Sequence, residues 1–467
     1  MRYRLITFLV FGSAVTAIGE WNLKNQRLEP LKKLNALWLD FCVGNSGGKI
    51  GNPSVTFVRI DDEYEPLNIG ENSTPKSDDA TPPKLSRLDF ATILGFVGKQ
   101  KPKTVAFIPT PTFDNKNLLN QTDIVPLKDA ALQLPRMTIG AVVSGDGKPS
   151  SESENVQYPS IKALGDTELL PALTRTVKAP DPQLLANGDP AFTIIETFPK
   201  PMGNGDANQK VPLVAKQGAK VVPSFVLCSL ANQAGIGLDQ ITLHLEKPKP
   251  FIQIGDLYTV PVSEDGAMEV PVHGGLKDSM ISEVSGDDGK RKKAYHFTRL
   301  TVNELAYTGK EEDAIAKRIL AKFQGKFQSV AENLVLIGFD RNLDRRIPAA
   351  GDEFLSESSL LARAIATIQS GRFINWWPQW GRWIAALAIL GIAVFLFRLS
   401  RRKVAVFGGL AVLIFFTACV FVFRATLTWT PPFVMFSLFG LALAIGLILP
   451  RNHSQPVDPS EDPDPEG

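Results

Sequence analysis

Charged side chains that could bind a ligand follow predicted strands at two places in the chain. At the first, Asp61, Asp62 and Glu63 directly follow an apolar segment, and Arg87 opens a helical pattern further along. Carboxylates at the carboxyl end of a strand lie where α/β sheets commonly bind ligands, and a cation at a helix start can hold an anion. A structural ion pair beside a capped turn explains the same residues, and we favour this simpler interpretation.

The second group of charges occupies residues 340–346 and includes Asp344. It follows the apolar segment 333–338, so it is expected at the same sheet edge as the first group. A solvated loop is the simpler explanation here too. The candidate ligand contacts are Asp61, Asp62, Arg87 and Asp344.

Catalytic and metal-binding patterns are missing from the sequence. The histidines (His244, His273, His296 and His453) do not have metal-ligand spacing, and neither a nucleophile elbow nor a phosphate-binding loop occurs. The formal net charge of +2 gives no reason to expect a nucleic-acid partner. We therefore predict no enzymatic activity, no metal and no cofactor.

Alternating helical and strand patterns position these candidate residues. Segments 55–60, 104–108 and 137–143 read as strands, and helical spacing occurs at 88–97 and 124–134. This order predicts an α/β fold with a mixed, largely parallel sheet flanked by helices. Further strands are predicted at 191–197, 241–245, 251–254 and 333–338, a hairpin at 259–262 and 267–272, and helices at 223–233 and 360–368. We treat residues 53–373 as one domain.

Long apolar runs frame this domain. Runs 383–397, 404–423 and 433–449 carry no polar stripe and predict three transmembrane helices within residues 374–450. Residues 1–20 form either a retained anchor or a signal peptide cleaved near Ala17. We favour retention because Trp21 suits an outer membrane interface. An amphipathic helix and a loop are predicted for residues 21–52.

The distribution of charge orients these helices. Four cations between Arg398 and Lys403 place that loop in the cytoplasm, and most tryptophans fall at the opposite interface. The expected location is the inner (plasma) membrane, with residues 21–373 extracytoplasmic and the acidic, proline-rich tail 451–467 cytoplasmic. Cys42 and Cys228 would both be exterior. They are either disulfide-bonded or two buried thiols, and we favour the thiols.

Short stretches resemble the second class of CHASE-type sensory domains, which are extracytoplasmic and associated with cyclases and histidine kinases. The similar stretches are 58–63, 86–91, 103–107, 223–231, 265–274 and 334–338, the last followed by Asp344 and Pro348. The chain differs from the class at several polar positions, occupied here by Leu85-Ser86, Ile108-Pro109, Pro271-Val272 and Leu361. The resemblance implies that the fold is retained and that the side chains that would recognise a ligand have changed.

These features favour a membrane protein whose exterior domain senses a small-molecule ligand. Because the tail is too short to act as an output domain, the signal would pass to a separate partner such as a kinase or a cyclase. The alternative is a structural or assembly scaffold of the cell envelope that uses the same domain to dock an envelope protein. An exterior enzyme is the third and weakest hypothesis.

Overall fold

The structure is a computed structural model. It describes residues 2–25, 29–44, 53–65, 85–110, 124–145, 156–195, 208–246, 249–271, 279–280, 284–285, 291–292, 295–308, 313–341, 346–349, 353–429 and 432–449. The chain forms two compact units. The helical unit comprises Met1–Cys42 and Asn375–Gly467, and the α/β unit comprises Val43–Ile374.

The helices, in chain order, are α1 (Arg2–Asn25), α2 (Glu29–Gly44), α3 (Arg87–Lys99), α4 (Ile124–Leu132), α5 (Pro182–Leu185), α6 (Phe225–Ala234), α7 (Val302–Ala306), α8 (Ala314–Glu332), α9 (Glu357–Ser370), α10 (Gln379–Arg398), α11 (Arg401–Thr426) and α12 (Pro432–Ile448).

The strands are β1 (Val55–Ile60), β2 (Thr104–Phe107), β3 (Met137–Ser144), β4 (Lys162–Leu164), β5 (Arg175–Lys178), β6 (Gly188–Ile195), β7 (Asn208–Pro212), β8 (Val214–Gln217), β9 (Lys220–Pro223), β10 (Ile241–His244), β11 (Phe251–Ile254), β12 (Tyr258–Pro261), β13 (Ala267–Pro271), β14 (Ser279–Met280), β15 (Val284–Ser285), β16 (Arg291–Lys292), β17 (Tyr295–Thr301), β18 (Leu334–Phe339), β19 (Arg346–Ala349), β20 (Glu353–Ser356), β21 (Asn375–Trp376) and β22 (Thr428–Trp429).

The main sheet of the α/β unit is mixed. Its parallel part runs in the order β17-β1-β18-β2-β3, with β6 also parallel to β3. Strands β14 and β5 pair antiparallel with β17 and β3. The predicted α/β class, with mixed sheets flanked by helices, is confirmed. The sequence patterns gave no prediction for β17, although it lies beside β1 within the main sheet.

Helices cover both faces of this sheet because side chains alternate along each buried strand. Val55 and Phe57 of β1 pack in the core with α6 and α9. Val58 and Ile60 pack in a second core with α3, α4, α7 and α8. The sheet is therefore the middle of three layers, and the carboxyl ends of its parallel strands lie at one edge.

A smaller sheet and several hairpins complete the α/β unit. The predicted hairpin of 259–262 with 267–272 is wrong. Strand β12 pairs with β11, whereas β13 pairs with β7. The turn between them does form, with Ser263 donating its backbone N–H to Ala267 O at 2.9 Å and Gly266 at φ +70°. The strands on either side of this turn then enter different sheets.

The helical unit packs α1 and α10 against α12. Its core contains Phe8, Ile389, Phe397 and Leu438. The backbone N–H groups of Asn375 and Trp377 donate to Leu427 O and Trp429 O, which joins the start of α10 to the end of α11. Trp38 of α2 packs edge-on against Phe416, with ring centroids 5.0 Å apart.

Only some of the predicted membrane helices have spanning length. Among the described residues, Trp380–Arg398 and Arg401–Thr426 are long and apolar enough, whereas Tyr3–Gly19 and Pro432–Ile448 are shorter apolar helices. Of the four predicted spans, only two correspond to described helices with the length and composition of a membrane span. The other two predicted spans were themselves short apolar runs: α12 has 17 residues, and charged or polar residues flank the apolar part of α1.

The two cysteines that could have formed a disulfide are free. Cys42 and Cys228 are both buried. Cys42 belongs to the helical unit, and Cys228 lies on α6 in the core of the α/β unit. The predicted acidic tail 451–467 lies outside the described residues.

Candidate functional site

The carboxyl edge of the parallel sheet contains a topological switch point at neighbouring strands β1 and β18. After β1 the next helix, α3, packs on one face of the sheet, and after β18 the next helix, α9, packs on the other. Where successive connections leave a sheet in opposite directions, a crevice opens beyond the strand ends, and α/β proteins commonly bind ligands there. The residues that follow β1 and β18 are therefore the candidate site.

Asp61 and Asp62 lie directly after β1, at this switch point. Asp62 is exposed, whereas Asp61 is partly buried. Its Oδ1 atom is buried and has no hydrogen-bond partner among the described residues. Burial raises the pKa of the Asp61 carboxyl, the nearby Arg59 guanidinium opposes this, and the Glu63 carboxylate adds to it. Backbone N–H groups of Glu63 and of Asp61 itself also lower this pKa, so the acceptor without a donor among the described residues is the Oδ1 atom.

The second charged group meets the first at this edge. Asp340, just after β18, pairs its Oδ2 with Arg59 Nη1 at 3.3 Å, and its backbone N–H donates to Ile60 O at 3.0 Å. The Arg341 guanidinium carbon lies 4.2 Å from the centre of the Phe339 ring. Asp340 and Arg341, the described residues that directly follow β18, therefore lie at the edge that Asp61 occupies. Asp344 lies outside the described residues.

Arg87 is the first residue of α3, and a capping box fixes its position. The backbone N–H of Ser86 donates to Asp89 Oδ2 at 2.7 Å, and the backbone N–H of Asp89 donates to Ser86 Oγ at 3.2 Å. The Tyr64 hydroxyl donates to Asp89 Oδ1 at 3.3 Å. This bond ties the loop after β1 to the start of α3. Burial, followed by the Asp89 carboxylate, raises the pKa of Tyr64.

The Arg87 guanidinium forms a buried ion pair with Asp181. Nη2 and Nε lie 3.1 and 3.3 Å from Asp181 Oδ2, and the two side chains are only 5% and 4% exposed. Asp181 also caps α5, where its Oδ1 accepts from the backbone N–H of Gln183 at 2.9 Å. The Arg87 side chain therefore joins the starts of α3 and α5. Sequence reasoning missed this partner, although the Asp181-Pro182 pair is a helix-start signal.

The arrangement suits recognition of a polar group. Asp61 supplies a carboxylate oxygen, and Arg59 and Asp340 supply a neighbouring donor and acceptor. The described residues contain no group of three or more His, Cys, Asp or Glu side chains that could hold a metal ion. His244 stacks on Phe251 with ring centroids 4.4 Å apart, within the smaller sheet.

The chain was compared with protein-family models, with curated proteins and with solved structures. No match was found in any of these comparisons.

Proposed function

We propose that the protein is an integral membrane protein of the cell's inner (plasma) membrane, with an extracytoplasmic α/β unit that senses a ligand. The observation that carries this proposal is the uneven distribution of exposed apolar side chains. Large exposed apolar residues crowd the helical unit: Tyr3, Ile6, Leu9, Val10, Phe11, Ile18, Trp21, Leu34, Leu37, Phe41, Trp380, Trp383, Ile384, Leu387, Phe395, Val406, Phe407, Leu410, Leu413, Ile414, Phe421, Val422, Leu447 and Ile448. In the described part of the α/β unit they are Val125, Leu132, Leu169 and Leu257.

Such a surface is costly in water but suits lipid. The 20 residues of α10 rise roughly 30 Å, which is about the thickness of the hydrocarbon core. We infer that α1, α10, α11 and α12 together form the membrane part. The short apolar part of α1 and the short helix α12 would be accommodated by local thinning of the bilayer and by flanking side chains that reach to the interface.

The two ends of the helical unit differ in chemistry, which supports an orientation. Exposed Arg398 ends α10, and exposed Arg401, Arg402 and Lys403 begin α11. The joined start of α10 and end of α11 carry the tryptophans, including Trp380 and Trp429. By the positive-inside preference the cationic end faces the cytoplasm. The chain leaves the helical unit after α2 and returns at Asn375, so the α/β unit would be exterior.

We assign the ligand-binding role to the sheet edge at the carboxyl ends of β1 and β18. A ligand N–H or O–H group would satisfy Asp61 Oδ1, and Asp62 is exposed beside it. The order of short sequence stretches resembling CHASE-type domains agrees with this role. The state of the unit would pass to a separate kinase, cyclase or envelope protein through the membrane helices.

Cysteine labelling tests the topology. Glu168 is exposed on the α/β unit and Arg402 is exposed at the cationic end of the helical unit. In intact cells with a permeable outer layer, a membrane-impermeant maleimide should label Glu168→Cys. Arg402→Cys should react only after the membrane is opened. Labelling in the reverse order would refute the exterior placement.

Thermal unfolding of the full chain in detergent tests the sensing role. A small molecule that binds only the folded chain raises the unfolding temperature, and the increase grows with the logarithm of its concentration above the Kd. A ligand found by screening should lose this effect in Asp61→Asn and keep it in Glu168→Gln. If no small molecule shifts the unfolding temperature while a specific envelope protein co-purifies, the protein is a scaffold and the sensing role is wrong.

A further inference from the structure

The N-terminal helix α1 bears an arginine that bonds to the ends of two other helices. Arg4 is only 2% exposed. Its Nη1 donates to Phe397 O in the last turn of α10 at 3.3 Å, and its Nη2 donates to Leu449 O just after α12. The last carbonyls of a helix have no partner within the helix, and they carry partial negative charge. One guanidinium therefore satisfies acceptors on two helix ends at once, and its planar fork suits this task.

Apolar packing continues along α1 beyond Arg4. Phe8 is 4% exposed, and its ring centroid lies 6.0 Å from that of Phe397 with the rings at 71°. A Cβ added to Gly12 would lie 3.2 Å from Leu438 Cδ2, and one added to Gly19 would lie 2.2 Å from Val434 Cγ2. These two glycines, seven positions apart, let the backbone of α1 approach α12 closely, as small residues do between membrane helices.

The small residues that could be read as a peptidase site lie inside this helix. Helix α1 runs without interruption from Arg2 to Asn25, through Ala17. Thr16, one residue earlier, donates its hydroxyl to Gly12 O at 2.8 Å. A protease that binds its substrate as an extended strand would have to unwind this turn. Cleavage after Ala17 would also remove Arg4, Phe8 and Gly12 and expose the faces of α10 and α12 that they cover.

We propose that α1 is a permanent helix of the membrane unit and that Arg4 acts as a clamp that fixes the ends of α10 and α12 against each other. Arg4 is a positioning residue, and the clamp resists sliding of α10 along α12. The proposed exterior sensing role does not depend on it, since a cleaved leader and a retained helix place the following chain on the same side.

The mature N-terminus tests the permanence of α1. The full chain should be purified from membranes with a C-terminal tag, and its intact mass and N-terminal sequence should be measured. A protein that retains residues 2–17 is expected. A mature N-terminus just after Ala17 would overturn the proposal and leave the topology experiment above unaffected.

A charge-conserving substitution tests the clamp. Arg4→Lys keeps the positive charge that helps to direct membrane insertion but loses the planar two-ended donor. Arg402→Lys is the matched control, because Arg402 is exposed at the same end of the helical unit. In detergent, Arg4→Lys should unfold at a lower temperature than both the wild type and the control. Equal unfolding temperatures for all three chains would overturn the clamp even if α1 is retained.

Discussion

Removal of the Arg87 side chain should destabilise the α/β unit far more than removal of an exposed arginine. In Arg87→Ala the Asp181 carboxylate, 4% exposed, loses its cation and stays buried. Breaking a buried pair in this way costs about 3 to 5 kcal/mol. The control is Arg136→Ala. Arg136 pairs with Asp189 at 2.6 Å but is itself 71% exposed, so its loss should cost less than about 1 kcal/mol.

These free energies give measurable shifts in unfolding temperature. For a unit of about 330 residues, an unfolding entropy near 2.1 cal/mol/K per residue converts 3 to 5 kcal/mol into roughly 4 to 7 °C. The control should shift by no more than about 1 to 2 °C. The assay is thermal unfolding of the full chain in detergent, monitored by circular dichroism and by calorimetry.

A second variant separates loss of the ion pair from loss of packing. Arg87→Met keeps much of the side-chain volume, and Asp181→Ser keeps an oxygen that can cap α5. The double variant should recover part of the stability lost by Arg87→Met alone, because no buried charge remains. Equal destabilisation by Arg87→Ala and Arg136→Ala would refute the assignment of Arg87 to a buried structural pair.

Three further predictions follow from individual side chains. Gly19→Ala should lower the stability of the helical unit by about 1 to 3 kcal/mol, because the added methyl group overpacks the contact with α12. Gly391 has open space around it, so Gly391→Ala should be neutral or stabilising. The unfolding temperatures of the two variants in detergent provide the comparison. Burial raises the pKa of Asp61 in the folded chain above the value of about 3.9 in the unfolded chain. The folded chain therefore binds this proton more readily, and the contribution of Asp61 to stability falls as the pH rises. Asp61→Asn should therefore raise the unfolding temperature more at about pH 7 than at about pH 4.5, and an equal gain at both values would contradict the direction of the shift. Burial also raises the pKa of the Cys228 thiol, so iodoacetamide should alkylate it only after denaturation, as peptide mass analysis would detect.

The candidate site was only partly predictable. The acidic residues after β1 and the charges after β18 were placed at one sheet edge, because parallel strands end together and both segments were recognisable. The partner of Arg87 could not be predicted, because Asp181 lies 94 residues away in the sequence and no local pattern around Arg87 points to it. The Arg59–Asp340 pair depends in the same way on β1 and β18 being neighbours.

The sequence by itself determined the local elements. Short apolar runs marked β1, β2 and β18, because strands that are buried on both faces need no alternation with polar residues, and longer apolar runs marked α10 and α11. Only the tertiary structure decided which elements meet. It inserted β18 between β1 and β2, sent β12 and β13 into different sheets, and placed Arg4 on the ends of α10 and α12. These choices depend on long-range packing and hydrogen bonding between segments far apart in the chain, which no local window of sequence contains.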